Sequence, residues 1–237
     1  LFGEQFDVNR TKDIAEAYSL IEEDLKEAIL NLPVIQDMKY KVTKGAAQAL
    51  LGKVYLYHGK FDQTKFASAA TVFGEVIASK KYSLVTGDDY KNLFESSGEN
   101  GSESVFEVQY SGVEGASWSC IICSEGSYFV KFNGPRSPFN DATYDAGWGF
   151  IIPSQELYDT FDADDIRREV TFLDLRDKPD SYSPSRDNTG FFNKKFLPRL
   201  ADQRAGSDPL NFPNNYRSIR YADVLLMAAE AEAQSGG

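Results

Sequence analysis

The chain has 237 residues, 42% hydrophobic and 14% aromatic, which is enough apolar material for a sizeable core and excludes general disorder. Its formal charge of −11 argues against a nucleic-acid partner and against docking on an anionic membrane surface, since both draw on clustered Lys and Arg. No apolar run reaches the roughly 18 residues needed to cross a bilayer, and the opening Leu1-Phe2-Gly3-Glu4 carries no basic or apolar leader, so the chain reads as a mature or excised piece.

Residues 13–32 read as a first helix, with Ile14, Ala17, Tyr18, Ile21, Leu25, Ala28, Ile29 and Leu32 on one stripe and charged residues opposite. Pro33 ends it. Residues 43–80 follow as a helical hairpin. Ala47, Leu50, Leu51, Val54, Tyr55 and His58 recur at helical intervals, and Phe66, Ala69, Ala70, Phe73 and Ile77 repeat that spacing. Gly59 is placed to close the first of these helices in a left-handed conformation. The order of small and large residues matches a tetratricopeptide repeat, with Leu51, Gly52 and Tyr55 as the core of its first helix. Gln48 replaces the repeat's tryptophan, and residues 62–65 look like an insertion. Leu25, Ala28 and Pro33 have the spacing of a repeat's second helix, so the chain is expected to open inside a repeat.

Beyond residue 80 the texture changes. Asp88 to Phe94 suggests a short helical turn with acidic residues at its start, and a Gly/Ser/Asn loop follows over residues 95–102. Residues 104–110 alternate Phe106, Val108 and Tyr110 against Val105, Glu107 and Gln109, a strand signal. Residues 111–150 form a long, glycine-rich and aromatic loop, and a loop of that length within a compact domain often carries function. Residues 154–161 read as a short helix capped by Ser154, and the carboxylates of residues 162–165 as turn and cap groups, because a calcium loop of the EF-hand kind lacks its Gly and distal Glu here. Residues 177–215 are rich in Pro, Asn, Ser and Asp, interrupted by a buried-strand candidate at 191–197. Residues 216–234 read as a helix apolar nearly all round, and such a helix is expected to be buried.

Catalytic readings find little support. Cys120 and Cys123 offer two ligands where zinc wants about four, and His58, inside a helix, is the one histidine; two small buried residues or a local disulfide is the reading kept. That lone His58 also argues against a Ser-His or Cys-His pair. Among 36 Asp and Glu no pair is singled out as a glycosidase dyad, and no P-loop, GxGxxG or HExxH pattern occurs. The chain is expected to be no enzyme and to carry no cofactor and no metal.

Two stretches together, residues 44–57 (KGAAQALLGKVYLY) and 220–231 (RYADVLLMAAEA), resemble the SusD-like (RagB/SusD) family of surface lipoproteins. Residues 102–111 (SESVFEVQYS) and 148–162 (WGFIIPSQELYDTFD) agree with further segments of that family in content and order. The resemblance implies a mainly α fold, with tetratricopeptide-like helical hairpins supporting a loop-rich lobe that has a few short strands. On that reading the chain is a fragment of one larger domain, with helices over residues 11–80, the lobe over 81–215 and a buried helix over 216–237. It further implies a surface-exposed protein of the outer membrane, held by a lipid anchor absent from this chain. Such a protein delivers captured oligosaccharide or polysaccharide to a SusC-like TonB-dependent transporter. Sugars present flat C–H faces ringed by hydroxyls, so capture pairs exposed rings with amide, carboxylate and guanidinium groups. The 111–150 loop has both, and the candidate site is Trp118, Tyr128, Tyr144 and Trp148 with Arg136, Asn140 and Asp141. Trp118, between Ser and Gly neighbours, is expected to be exposed; Trp148 abuts the Phe150-Ile151-Ile152-Pro153 run, which reads as core. The alternative is a helical-repeat adaptor that binds a protein or peptide on the concave face of residues 43–80.

Overall fold

A computed structural model describes residues 13–113, 118–120, 125–202 and 210–236. The chain divides into two compact units. One takes the described residues up to Leu84, Ser102–Phe106 and the stretch from Ser218; the other takes Val85–Gly101 and the described part of Glu107–Arg217.

Four helices build the first unit: α1 (Ile14–Asn31), α2 (Lys44–His58), α3 (Thr64–Ala78) and α6 (Tyr221–Ser235). Asp13 caps α1 by accepting from the Ala15 N–H at 2.8 Å, and Thr43 caps α2 by accepting from Ala46 at 3.3 Å. Helix α2 packs against α1 and α3, and α3 against α6. Their shared core holds Ala49, Leu51, Phe73, Val76, Val224 and Ala231, all nearly sealed from water. Phe73 lies across Gly52, where an added Cβ would come within 2.5 Å of the ring. That glycine is therefore the seat of the hairpin contact.

Gly59 departs from its expected left-handed role: its φ of −53° and ψ of −23° are right-handed, and the Phe66 ring occupies the space beside it. Its lack of a side chain serves packing. Asp62, expected within an insertion, accepts from the Thr64 N–H and hydroxyl and so starts α3. The expected helix over residues 216–234 is also shorter. Tyr216–Arg220 is strand β4, paired with β1 (Ser104–Val108), and helix begins at Tyr221. Within this unit α6 buries Val224, Ala228 and Ala231, while Leu226 is 72% exposed, so the helix is one-sided rather than buried all round.

Inside the helical unit Glu22 is buried against three cationic or imidazole side chains: His58 Nδ1 at 2.7 Å, Lys65 Nζ at 2.8 Å and Lys26 Nζ at 3.5 Å. Tyr18 stacks on His58 with centroids 4.3 Å apart. Burial alone would raise the Glu22 carboxyl, but hydrogen bonds from Lys65 and His58 and the charges of Lys65 and Lys26 outweigh it and hold the group below its usual 4.5.

The second unit contains two very short helices, α4 (Gln155–Asp159) and α5 (Ile166–Thr171), and a two-stranded antiparallel sheet. Strand β2 (Phe172–Asp174) pairs with β3 (Phe191–Asn193) in the register Phe172 to Asn193, Leu173 to Phe192 and Asp174 to Phe191. Ser154 and Asp165 cap α4 and α5 by accepting from Leu157 and Arg167. The strand expected over 191–197 lasts three residues and becomes a single 3-10 turn at Lys194–Phe196. One small core gathers Leu175, Tyr182, Phe192 and Leu197, and another Leu93, Phe94 and Val170.

Two outcomes follow for the helical unit. Gly52→Ala forces Phe73 aside and should lower stability by about 2 kcal/mol in urea melts, within the range for overpacked cores. Because the Glu22 carboxyl is depressed in the folded state, its contribution is present above about pH 4.5 and lost as pH falls through the lower folded value. Melts of Glu22→Gln should therefore fall less steeply than those of the parent as pH is lowered below about 4.5.

Candidate functional site

The ring-rich surface of the second unit is set by backbone pairing between two stretches of the long loop. Trp148 N–H donates to the Lys131 carbonyl at 2.6 Å, Gly147 to Pro135 at 2.7 Å and Gly149 to Gly134 at 2.9 Å. Phe150 and Ile151 both donate to Phe132, at 3.0 and 2.9 Å. The strands approach this closely because Gly147 lies on Gly134, where any side chain would collide with backbone. Gly149 has φ of +64°, a conformation that favours glycine, and it turns the chain between Trp148 and Phe150.

Lys131 anchors the assembly from beneath. Its buried ammonium donates to the Asp145 carboxylate at 2.9 Å and the Ala146 carbonyl at 2.6 Å. Asn133, fully buried, donates to the Phe129 carbonyl and accepts from Asn193.

The paired stretches bring rings together. Trp148 lies 5.2 Å from Phe132, 6.1 Å from Phe150 and 6.2 Å from Trp118, measured between centroids. Phe132 also meets Phe150 at 5.7 Å and Tyr128 edge-on at 5.8 Å. The set is unevenly covered: Trp118 is 60% exposed, Tyr128 45% and Phe150 70%, whereas Trp148 is half-buried. The rings are tilted against one another, by 35° for Trp118 and Trp148 and by 54° for Trp148 and Phe150, and together they offer an apolar patch to a ligand.

Of the seven residues expected at a site, Trp118, Tyr128 and Trp148 join this ring set. Arg136 is exposed, and its side-chain stem runs beside Gly149, where an added Cβ would come within 2.9 Å of Arg136 Cγ. Asn140 is exposed. Asp141 accepts from the Thr143 and Tyr144 N–H groups at 2.8 and 3.0 Å and closes a turn. Tyr144 packs inward on the small core that includes Leu197, its ring 5.7 Å from the Arg199 guanidinium, and burial pushes its phenol above the usual 10.0. Phe132 and Phe150 were missed. Phe150 was expected as core from its run of apolar neighbours, yet it and Ile151 are exposed because Phe132 takes both their backbone bonds and Gly149 turns the chain. The signal available was the Gly between two aromatics in Trp148-Gly149-Phe150. Cys120 is disulfide-bonded, while Cys123 lies outside the described residues.

Helical hairpins of the tetratricopeptide kind in one unit and a loop-rich, ring-bearing second unit define the class of protein. A model of the SusD family matches residues 175–237. The chain is 31% identical over 233 residues to SusD-like protein P2 of Formosa agariphila, covering 91% of this chain and 42% of that one. It superposes on surface glycan-binding protein A from Bacteroides thetaiotaomicron in complex with laminarihexaose with a TM-score of 0.83 at 27% identity, covering 94% of this chain and 51% of that one. The surface glycan-binding protein A from Bacteroides fluxus gives 0.83 at 30% identity, covering 92% and 46%. The chain thus spans about half the length of these relatives. Over that length it is similar to proteins of the SusD-like family.

The uneven cover of the two tryptophans can be read directly. Acrylamide should quench the fluorescence of Trp148→Phe, which retains Trp118, more strongly than that of Trp118→Phe, which retains half-buried Trp148.

Proposed function

We propose that the protein captures a glycan on its ring set and releases it chemically unchanged. The observation that carries this is the exposure of Trp118 and Phe150, 60% and 70%, on either side of Trp148. Single exposed apolar residues are ordinary, but large rings left in water side by side form the kind of patch that marks a ligand surface. In this reading Trp118, Tyr128, Trp148 and Phe150 stack on sugar faces, while Arg136 and Asn140 bond hydroxyls at the edge. The likeness to a surface glycan-binding protein solved with laminarihexaose supports the ligand class. We extend the family reading to this chain's surroundings as well: an outer-membrane, surface-exposed lipoprotein that passes the glycan to a SusC-like TonB-dependent transporter.

The test is binding to a panel of oligosaccharides by titration calorimetry. Trp118→Ala and Phe150→Ala should each weaken a bound glycan by about 1–2 kcal/mol, roughly tenfold in Kd, as for other ring anchors. Their thermal midpoints should stay unchanged, since both rings are already in water. Undiminished affinity in both variants would remove the ring set from the binding site.

A further inference from the structure

A cavity of about 210 Å³ opens in the same unit between the 3-10 turns Gly87–Asn92 and Lys194–Phe196 and helix α5. Its volume equals about seven waters, room for a single sugar ring rather than a chain. Phe94 and Tyr144 supply ring walls, and four cations face two carboxylates around it. In a chain of net charge −11 this local excess of cations runs against the whole.

The charges are arranged for an anion. Arg199 is buried and fixed, paired with Glu95 and donating to the Leu197 carbonyl at 2.7 Å. Lys91 faces Glu169 at 3.7 Å and Asp88 at 4.0 Å, all three side chains well exposed, so these pairs are weak and exchangeable. Lys194 donates at 3.1 Å to the backbone carbonyl of Glu169, a neutral acceptor that leaves its charge uncancelled. Lys195 sits over the Phe94 ring at 4.8 Å. The Tyr144 phenol, which burial pushes further above its usual 10.0, adds a neutral donor to the lining.

We propose that this cavity binds the anionic group of an acidic sugar, a carboxylate or a sulfate ester, with the ring resting on Phe94 and Tyr144 and the anion between Lys194, Lys195 and Lys91. A charged oxygen bonded to ammonium donors makes stronger hydrogen bonds than a neutral hydroxyl does. This rests on the glycan-capture reading and narrows it to glycans that carry acidic residues.

The experiment titrates the full-length protein with galacturonate trisaccharide, its methyl ester, galactose 6-sulfate, galactose and inorganic sulfate. We expect the acidic sugars to bind at least about tenfold more tightly than their neutral counterparts, the scale of one good charged contact. The double variant Lys194→Gln, Lys195→Gln should abolish that preference while leaving the affinity for the methyl ester and the thermal midpoint unchanged. Lys91→Gln, on an exposed side chain, should reduce the preference without any risk to folding. No preference in the parent, a preference that survives the lysine variants, or inorganic sulfate binding as tightly as galactose 6-sulfate would each overturn the proposal. Failure here, with Trp118→Ala and Phe150→Ala still weakening neutral glycans, would leave the capture reading standing; loss of both effects would remove it too.

Discussion

The backbone pairing of residues 147–151 with 131–135 is the constraint on which the ring surface depends. Irregular loops carry many N–H and carbonyl groups, and a loop that buried its rings while leaving those groups unpaired would be unstable. Here five N–H groups find carbonyls on the facing stretch. Each bond contributes only about 1 kcal/mol net, but leaving one unmade and buried would cost more. Once the backbone is satisfied internally, the side chains need not point inward to hold the loop. That is why Phe150 remains in water while Trp148 and Phe132 pack against it, and Trp118 reaches the set through its contact with Trp148. Lys131 completes the arrangement, since its buried charge is matched by Asp145 and not left alone.

The helical unit was legible because its information is periodic. Apolar residues at helical spacing and the Leu51, Gly52 and Tyr55 core of a repeat are readable from local order, and α1 to α3 lie within a residue or two of where that order puts them. Residues 216–220 failed the same reading. Their partner is β1, more than a hundred residues earlier, and a helical pattern beginning at Tyr221 extends backwards over them without a local stop signal. The ring surface was half legible. Trp118 announces itself by small, polar neighbours, but Phe150 sits in an apolar run whose exposure is decided by a distant stretch's carbonyls. Composition can show that a loop is rich in rings; it cannot show which of them the backbone turns outward.

Strand β1 shows a related limit. Its buried face carries Val105 and Glu107, 5% and 3% exposed, although a carboxylate ordinarily marks the wet side. Glu107 accepts from the Asn100 N–H and from Asn215, while the Asn215 N–H bonds to Glu99 and its side-chain oxygen accepts from Tyr110. The Arg217 guanidinium shares this interior, and burial pulls it below the usual range. A polar interior of this kind supplies bonds that an apolar core cannot, and it holds loops whose side chains are too few and too irregular to pack alone. No alternation of residue types foretells it, because each member is satisfied only by residues far away in sequence.

The two ligand surfaces proposed for the lobe place opposite demands on the same acidic molecule. A ring face is indifferent to the net charge of −11, because stacking on sugar C–H groups involves no ions. An anionic residue approaching the same protein feels that charge as repulsion, which reaches about 8 Å at physiological salt. The cations around the cavity beside α5 act only within that range, so they would hold an acidic sugar after arrival without drawing it in. Neutral segments of a mixed polymer would dock first on Trp118 and Phe150, and the acidic residue would then seat between Lys194 and Lys195. Multipoint attachment of that order makes the first contact a matter of shape and the second a matter of charge. Raising salt should consequently speed the arrival of an acidic glycan while weakening its final hold, the reverse of what an attractive long-range field produces on arrival.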